Sequence, residues 1–510
     1  METLTEILAG LQAAVSPVNI LYCFVGVTLG TIIGMLPGLG SATGVALLLP
    51  LTLTLDPLSA LIMLAGIYYG SQYGATISTV LVATPGDSSS AVVLFDGYPM
   101  AQQGRAGGAL ASAAIASFVG GTTSLIVLMA ALPMLSAVAL QFGPPETVAL
   151  AVLGLLSIAG FTGGGSLVKG IAAAAFGVLI ATIGLDAQSG QARYTFGRVE
   201  LFGGLGYIEV IIGIIAVAEV FRQMGRGAEN PMTTGWRDMM ITRDELRRTW
   251  RPAFRGSAIG FVLGILPGVG ATLASFFSYD VEKRLAGPRR HLFGTGMVEG
   301  VAGPESANNA ATNGSFAPTL TLGIPGSGTT AVLLGAFLVF GLQPGPLLLE
   351  QQPTIVWGLI ISFWIGNLIL LVLNLPLAPA FAYVLRVPYG LMYPFILFLC
   401  LAGAYSLTNR MWSVWVTLIF GVIGFLMQRY GYPVIPVILG LILGPIMETG
   451  LARSLSISHG DPTIFLTRPG SLALLLLAAA LVMAPPLIRR IYPTAKSQPA
   501  PQKEARVDSK

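Results

Sequence analysis

The chain has 510 residues, of which 54% are hydrophobic and 10% are charged, against about 25% charged in an average soluble domain. A soluble fold of this length cannot hide so much apolar surface, and the mean hydropathy of +0.78 excludes that class. A net charge of +4 does not argue for nucleic acid either, because the basic residues cluster in loops beside apolar stretches, where positive-inside topology accounts for them.

In chain order, residues 1–17 carry Glu2 and Glu6 and no basic leader, so no cleavable signal is expected and the first span is expected to stay in place. Apolar stretches of spanning length follow, among them residues 107–132, 167–183, 356–375, 411–427 and 472–488. Lipid leaves no water for an open backbone, so they read as transmembrane helices. The fold expected is an all-α polytopic membrane protein with about 10–12 transmembrane helices, a number set by window length. Its expected divisions are residues 1–221 as a first transmembrane repeat, 222–255 as a polar cytoplasmic linker and 256–450 as a second repeat. Residues 451–491 then form a C-terminal segment with the last helix, and 492–510 a polar tail. Cys23 and Cys400 lie in apolar stretches and are read as core residues with no role.

Internal similarity supports the two repeats. Gly26, Gly30, Gly34, Leu36, Pro37, Gly38 and Gly40 recur as Gly256, Gly260, Gly264, Leu266, Pro267, Gly268 and Gly270, with the shared string GxxxGxxxGxLPGxG. Gly74 and the run from Pro85 to Val92 recur as Gly314 and the run from Pro325 to Val332. The first LPG block has no basic residue near it until Arg105, whereas the second lies between Arg243, Arg247, Arg248, Arg251 and Arg255 and Lys283, Arg284, Arg289 and Arg290. Basic flanks belong on the cytoplasmic side. The second block is therefore expected to enter and leave from that face as a broken re-entrant hairpin, and the first to be its inverted mate.

Proline and glycine inside a membrane segment release backbone groups from the helix ladder, and these must face protein, ligand or a wet cavity. Breaks fall at residues 36–41, 84–88, 266–271 and 324–328. Paired breaks in two halves point to a transport site, with half-helix N-termini aimed at an anion. The residues expected to bind substrate are Pro37, Gly38, Gly40, Ser41, Pro85, Gly86, Ser88, Ser89, Ser90, Gly268, Gly270, Thr272, Pro325, Gly326, Ser327 and Thr329, with Asn308 and Asn309. The GxxxG glycines are read as packing positions instead. Asn308, Asn309 and Asn313, beside Glu305, offer amide oxygens to a coupling Na+ or N–H groups to a carboxylate, and interhelical hydrogen bonding is the alternative. Asp87, Asp186 and Glu219 are weaker candidates, each placed where an interface would make an acid cheap.

GMLPGLGSATG (34–44), YYGSQYGATIS (68–78), TPGDSSS (84–90), DGYPMAQQGRAG (96–107), GPESANNAATNG (303–314), LTLGIPGSGTTAVLLGA (320–336) and GLQPGP (341–346) together resemble TctA, the large membrane subunit of the tripartite tricarboxylate transporters. The resemblance runs from about Gly26 to about Met447. It implies a bacterial inner-membrane secondary transporter that works with a small membrane subunit (TctB-like) and a periplasmic solute-binding protein (TctC-like). It also implies a tricarboxylate, dicarboxylate or aromatic acid substrate driven by a Na+ or H+ gradient, with no other cofactor. The family's paired loop motifs map onto residues 37–41, 85–90, 267–272 and 325–330, and its ANN segment onto 307–309. Ala83 stands where Asn is common and Asp87 where Glu is frequent, which detaches the reading from citrate in particular.

No GxxxxGK[ST] phosphate loop occurs, so an ATP-driven pump would need another chain. An intramembrane hydrolase has no obvious Ser/His pair within a span, because His291 and His459 lie in or beside polar loops, and no lysine base lies near Ser88 or Ser327 in sequence. A passive anion channel is the remaining rival, since broken hairpins also line pores.

Overall fold

The computed structural model describes residues 2–36, 38–162, 166–186, 189–224, 241–382 and 389–491. Pro37, residues 225–240 of the expected linker and the tail from 492 lie outside the described residues. Helices dominate, as the composition requires. The first half runs α1 (Glu2–Ala14), α2 (Pro17–Met35), α3 (Gly40–Thr52), α4 (Pro57–Val82), α5 (Leu94–Gln102), α6 (Ala106–Ala139), α7 (Pro144–Thr162) and α8 (Leu167–Ala181). Two-residue antiparallel strands, β1 (Gly184–Leu185) and β2 (Ala192–Arg193), interrupt it before α9 (Tyr207–Ile211), a π turn (Ile212–Val217) and α10 (Ala218–Gln223). The second half runs α11 (Arg243–Ile265), α12 (Gly270–Leu285), α13 (Glu299–Leu322), α14 (Gly328–Val339), the short α15 (Leu348–Gln351), α16 (Pro353–Ala382), α17 (Tyr389–Thr408), α18 (Met411–Arg429) and α19 (Ile435–Ile457). The short α20 (Ile464–Thr467) and α21 (Pro469–Ile491) close the described chain.

Among the described residues, five helices, α2, α6, α16, α18 and α19, are long and apolar enough to cross a membrane. Shorter apolar helices include α3, α7, α8, α14, α17 and α21. The protein is thus an all-α polytopic membrane protein.

Local signals start the key helices. Asp56 precedes Pro57 and its carboxylate accepts the N–H groups of Leu58 and Ser59, which fixes the start of α4. Thr242 and Glu245 form a reciprocal capping box on α11. Helical chain therefore begins at Arg243, inside the stretch expected to be linker. A cap and a run of good helix formers outweigh the polarity that suggested a loop there.

The GxxxG glycines pack helices face to face. A Cβ added at Gly26, Gly30 or Gly34 on α2 would lie 2.3, 2.3 and 2.2 Å from the carbonyl oxygens of Met63, Ile67 and Ser71 on α4. In the second half, one added at Gly256, Gly260 or Gly264 on α11 would lie 2.3, 2.2 and 2.5 Å from those of Gly303, Ala307 and Ala311 on α13. Hence α2 sits on α4 as α11 sits on α13, with backbones too close for any side chain.

The equivalent helices α4 and α13 cross in opposite directions. Tyr68 stacks near Phe316 with ring centroids 6.1 Å apart, whereas Thr76, two turns further along α4, bonds Glu305, earlier on α13. That crossing is what inverted halves require. The later helices exchange in the same way: Gly177 of α8 abuts Val437 of α19, and Gly424 of α18 abuts Ile214 in the π turn.

One end of the molecule gathers charge. Arg105 pairs with Glu245 at 2.6 Å, Arg248 with Glu299 at 2.7 Å and Arg289 with Glu299 at 3.1 Å. Arg105 thus lies with the basic flanks of α11 and α12. Nearby, the fully buried Asp96 of α5 accepts N–H bonds from Gly294, Gly296 and Met297 and the Tyr279 hydroxyl at 2.8–2.9 Å, tying the first half to the α12–α13 turn.

Candidate functional site

All four breaks open onto one cavity of about 830 Å³, within the usual range for small-molecule sites. The first LPG break contributes Gly38, Gly40 and Ser41, the first PG break Pro85, Gly86, Asp87, Ser88 and Ser89, the second LPG break Gly268, Gly270 and Thr272, and the second PG break Ser327 and Thr329. The turns repeat in detail. Gly38 and Gly268 both have φ of 79°, and Gly40 and Gly270 have φ of 63° and 59°, left-handed values that disfavour a side chain. Each LPG turn ends α2 or α11 and starts α3 or α12, as the proline-glycine pairing dictates.

The halves interlock across the cavity. Ser41 Oγ of the first LPG break lies 2.7 Å from Thr329 Oγ1 of the second PG break, and Thr272 Oγ1 of the second LPG break lies 2.8 Å from Ser88 Oγ of the first PG break. Each LPG turn thus meets the PG turn of the other half. Within the second half Gly268 N–H donates to Gly326 carbonyl at 3.2 Å, and Ser327 and Thr330 cap α14 reciprocally.

The two halves treat the half-helix N-termini differently. In the first, Asp87 takes the place an external anion was expected to fill: one carboxylate oxygen accepts the Ser41 N–H at 3.0 Å and hydroxyl at 2.9 Å, and the other the Ser89 N–H at 3.1 Å. In the second, the matching residue is Ser327, whose Cβ stands 3.9 Å from the space beside Gly270. The start of α12 therefore has no carboxylate of the chain in the matching place, and its dipole faces the cavity.

Several lining residues escaped the sequence reading. Tyr68 and Gln72, one turn apart on α4, face the cavity; the Tyr68 hydroxyl lies 3.1 Å from Ser327 Oγ, while Gln72 Nε2 donates to Ser41 Oγ and Gln72 Oε1 accepts from Ser89 Oγ. Their i, i+4 spacing was the available signal. Arg222, read as the edge of a linker, is helical in α10 and lines the cavity, with its guanidinium held by Glu219 at 2.7 and 2.8 Å. Asp87, ranked as a minor candidate, is central.

Other expected residues lie elsewhere. Pro37 is outside the described residues. Ser90 turns away to bond Thr79 of α4, and Pro325 and Gly326 are buried behind the turn, with Gly326 against Ser315. Asn308, Asn309 and Asn313 are not among the lining residues, because α13 buries the face that carries them. Asn309 Nδ2 donates to Ser117 Oγ at 2.9 Å and Asn313 Nδ2 to Ser124 Oγ at 2.7 Å, so both serve interhelical bonding to α6.

The arrangement has hydroxyls, free backbone ends and an arginine, and lacks a histidine beside any serine of the cavity. It suits reversible binding of a small polar anion. Two proteins from Agrobacterium vitis are similar to the chain. One, an "uncharacterized 52.8 kDa protein in TAR-I ttuC' 3'region", is 44% identical over 95% of this chain and 96% of its own length. The other, an "uncharacterized protein in TAR-II ttuC' 3'region", is 46% identical over 42% of this chain and 89% of its own length. No solved structure matches the chain. The sequence model of the "Tripartite tricarboxylate transporter TctA family" covers residues 20–439, the stretch that holds both sets of breaks, and the chain belongs to that family.

Proposed function

We propose that this chain is the substrate-translocating subunit of a secondary transporter that imports a small organic carboxylate, a tricarboxylate, dicarboxylate or aromatic acid, across a bacterial inner membrane. A periplasmic solute-binding protein delivers the substrate, a small membrane subunit completes the assembly, and a Na+ or H+ gradient drives uptake. The observation that carries the reading is the single cavity shared by the four breaks, bridged by Ser41–Thr329 and Ser88–Thr272. The substrate-binding residues are then Gly38, Gly40, Ser41, Pro85, Gly86, Ser88, Ser89, Gly268, Gly270, Thr272, Ser327 and Thr329, joined by Tyr68, Gln72 and Arg222.

The opposed crossing of α4 and α13 supports inverted repeats, and alternating access follows naturally from two such halves around a fixed site. The cross-half hydroxyl pairs are the contacts that a substrate carboxylate would replace or strengthen.

Uptake of labelled carboxylates into vesicles holding this chain with its small subunit and binding protein, under imposed Na+ or H+ gradients, tests the reading. Saturable accumulation against the substrate gradient is the expected result. Uptake that never exceeds equilibration, whatever the imposed gradient, would make it a channel.

A further inference from the structure

Glu305 is fully buried in the first third of α13, and no cationic side chain pairs with it among the described residues. Its partners are neutral: the Thr76 hydroxyl of α4 donates to one oxygen at 2.7 Å, and the Ser117 hydroxyl of α6 donates to the other at 2.8 Å, where Asn309 Nδ2 also points from 3.4 Å. A buried carboxylate without a compensating charge is strongly disfavoured. Further along α13, the side-chain oxygens of Asn308, Asn309 and Asn313, all 1% exposed or less, receive no hydrogen bond, and Asn308 Nδ2 makes none either.

Several ionisable groups on the surrounding helices are engaged elsewhere, while the buried Tyr69 hydroxyl of α4 has no partner among the described residues. Tyr73 of α4 gives its hydroxyl to the Leu110 carbonyl at 2.8 Å. Glu282 of α12 pairs with Arg255 of α11 at 2.7 Å, and beside α13 it lies against Gly303, well round the helix from Glu305. Glu245 and Glu299 bind Arg105 and Arg248 at the charged end. On α6 only Arg105, at its start, is charged.

The cluster also belongs to one half only. Counting back from the matched Gly74 and Gly314, the positions of Glu305, Asn308, Asn309 and Asn313 correspond to Ala65, Tyr68, Tyr69 and Tyr73 of α4. Inverted halves thus supply the substrate cavity twice over, but this carboxylate once.

We propose that Glu305 is the binding site for one compensating monovalent cation per chain, a proton on the carboxyl or a Na+ held against it. The site deepens the transporter reading and rests on it only for the step in which the cation is coupled to substrate. Thr76 ties it to the cavity, since α4 also carries Gln72 and Thr79, which hold Ser89 and Ser90 of the first PG break.

The test separates cation binding from transport. On purified protein without substrate, infrared spectroscopy reads the C=O stretch of a protonated carboxyl near neutral pH, and thermal unfolding at fixed pH reads stabilisation by Na+ against choline. The wild type is expected to give one of these signals and Glu305→Gln to lose it, whereas Glu305→Asp keeps it at a changed pH or Na+ midpoint. Thr76→Val, which removes one donor while sparing the carboxyl, is expected to shift that midpoint and serves if Glu305→Gln fails to fold. The wild-type carboxyl staying ionised with no Na+ effect, or the wild-type signal surviving in Glu305→Gln, would overturn the proposal. In vesicles, Glu305→Gln should keep substrate exchange and lose gradient-driven accumulation. Loss of the cation signal with no transport by the wild type would instead indict the transporter reading.

Discussion

Ser41 and Thr329 stand 288 residues apart in the chain, yet their hydroxyl oxygens lie 2.7 Å from each other at the meeting point of two chain breaks. The contact joins one half's LPG turn to the other half's PG turn. Ser41 Oγ at the same time donates to Asp87, so it accepts the Thr329 hydroxyl proton.

Removing either hydroxyl is expected to weaken substrate binding more than folding. Ser41→Ala and Thr329→Val should each raise the substrate Kd by an amount worth about 1 kcal/mol, the net value of a typical hydrogen bond. The double variant should cost less than the sum, because the two share one contact. Calorimetric titration of the four proteins measures the cycle. Strict additivity would mean the two hydroxyls act independently.

Ala83 offers a test of backbone strain. It closes α4 in the left-handed region at φ 60°, where its counterpart Gly323 sits at φ 68°. A residue with a Cβ is disfavoured there by roughly 1 kcal/mol. Ala83→Gly is therefore expected to raise the unfolding midpoint in detergent without altering substrate affinity, and a lowered midpoint would refute the strain. Asn, the residue expected at this position from the family resemblance, tolerates the same conformation.

The glycine faces should be intolerant of even one methyl group. Gly260→Ala would place Cβ 2.2 Å from the Ala307 carbonyl oxygen, so α11 and α13 must separate. A loss of roughly 1–3 kcal/mol is expected. Gly203→Ala is the control, having no atom within 4 Å of its added Cβ. Size-exclusion profiles and melting curves of both variants distinguish a packing role from a general dislike of substitution.

Acid should loosen the charged end through Glu245. Burial works against its ionised form, but the Arg105 guanidinium and the Thr242 N–H and hydroxyl outweigh that and hold the carboxyl below its ordinary range. A lowered folded pKa contributes stability that is complete above the unfolded value and disappears as pH falls through the folded one. Wild type should therefore lose more of its melting temperature than Glu245→Gln between neutral pH and the acid side of the carboxylate range. Parallel pH profiles would show that this pair carries none of the acid sensitivity.

The membrane class, the four breaks and the family were legible in the residues. Hydropathy, proline-glycine pairs and repeated strings are carried by consecutive positions, and lipid lets no other backbone arrangement satisfy them. The GxxxG rows were legible for the same reason, and each glycine does abut a facing backbone. Arg222 misled because polarity after an apolar stretch resembles a loop when only neighbours in sequence are weighed.

Which residues meet across the fold was decided by tertiary structure alone. That α4 and α13 cross in opposition determines that Ser41 reaches Thr329, that Tyr68 and Gln72 face the cavity, and that Asn309 and Asn313 of α13 turn to α6. An asparagine in a helix presents the same letter whether it points at ligand or at a neighbour. Asp87 likewise became the internal anion of the first half only because folding brought it to the start of α3, 46 residues away from Ser41 in the chain. Helix direction and rotation depend on packing between segments hundreds of residues apart, and no local pattern records them.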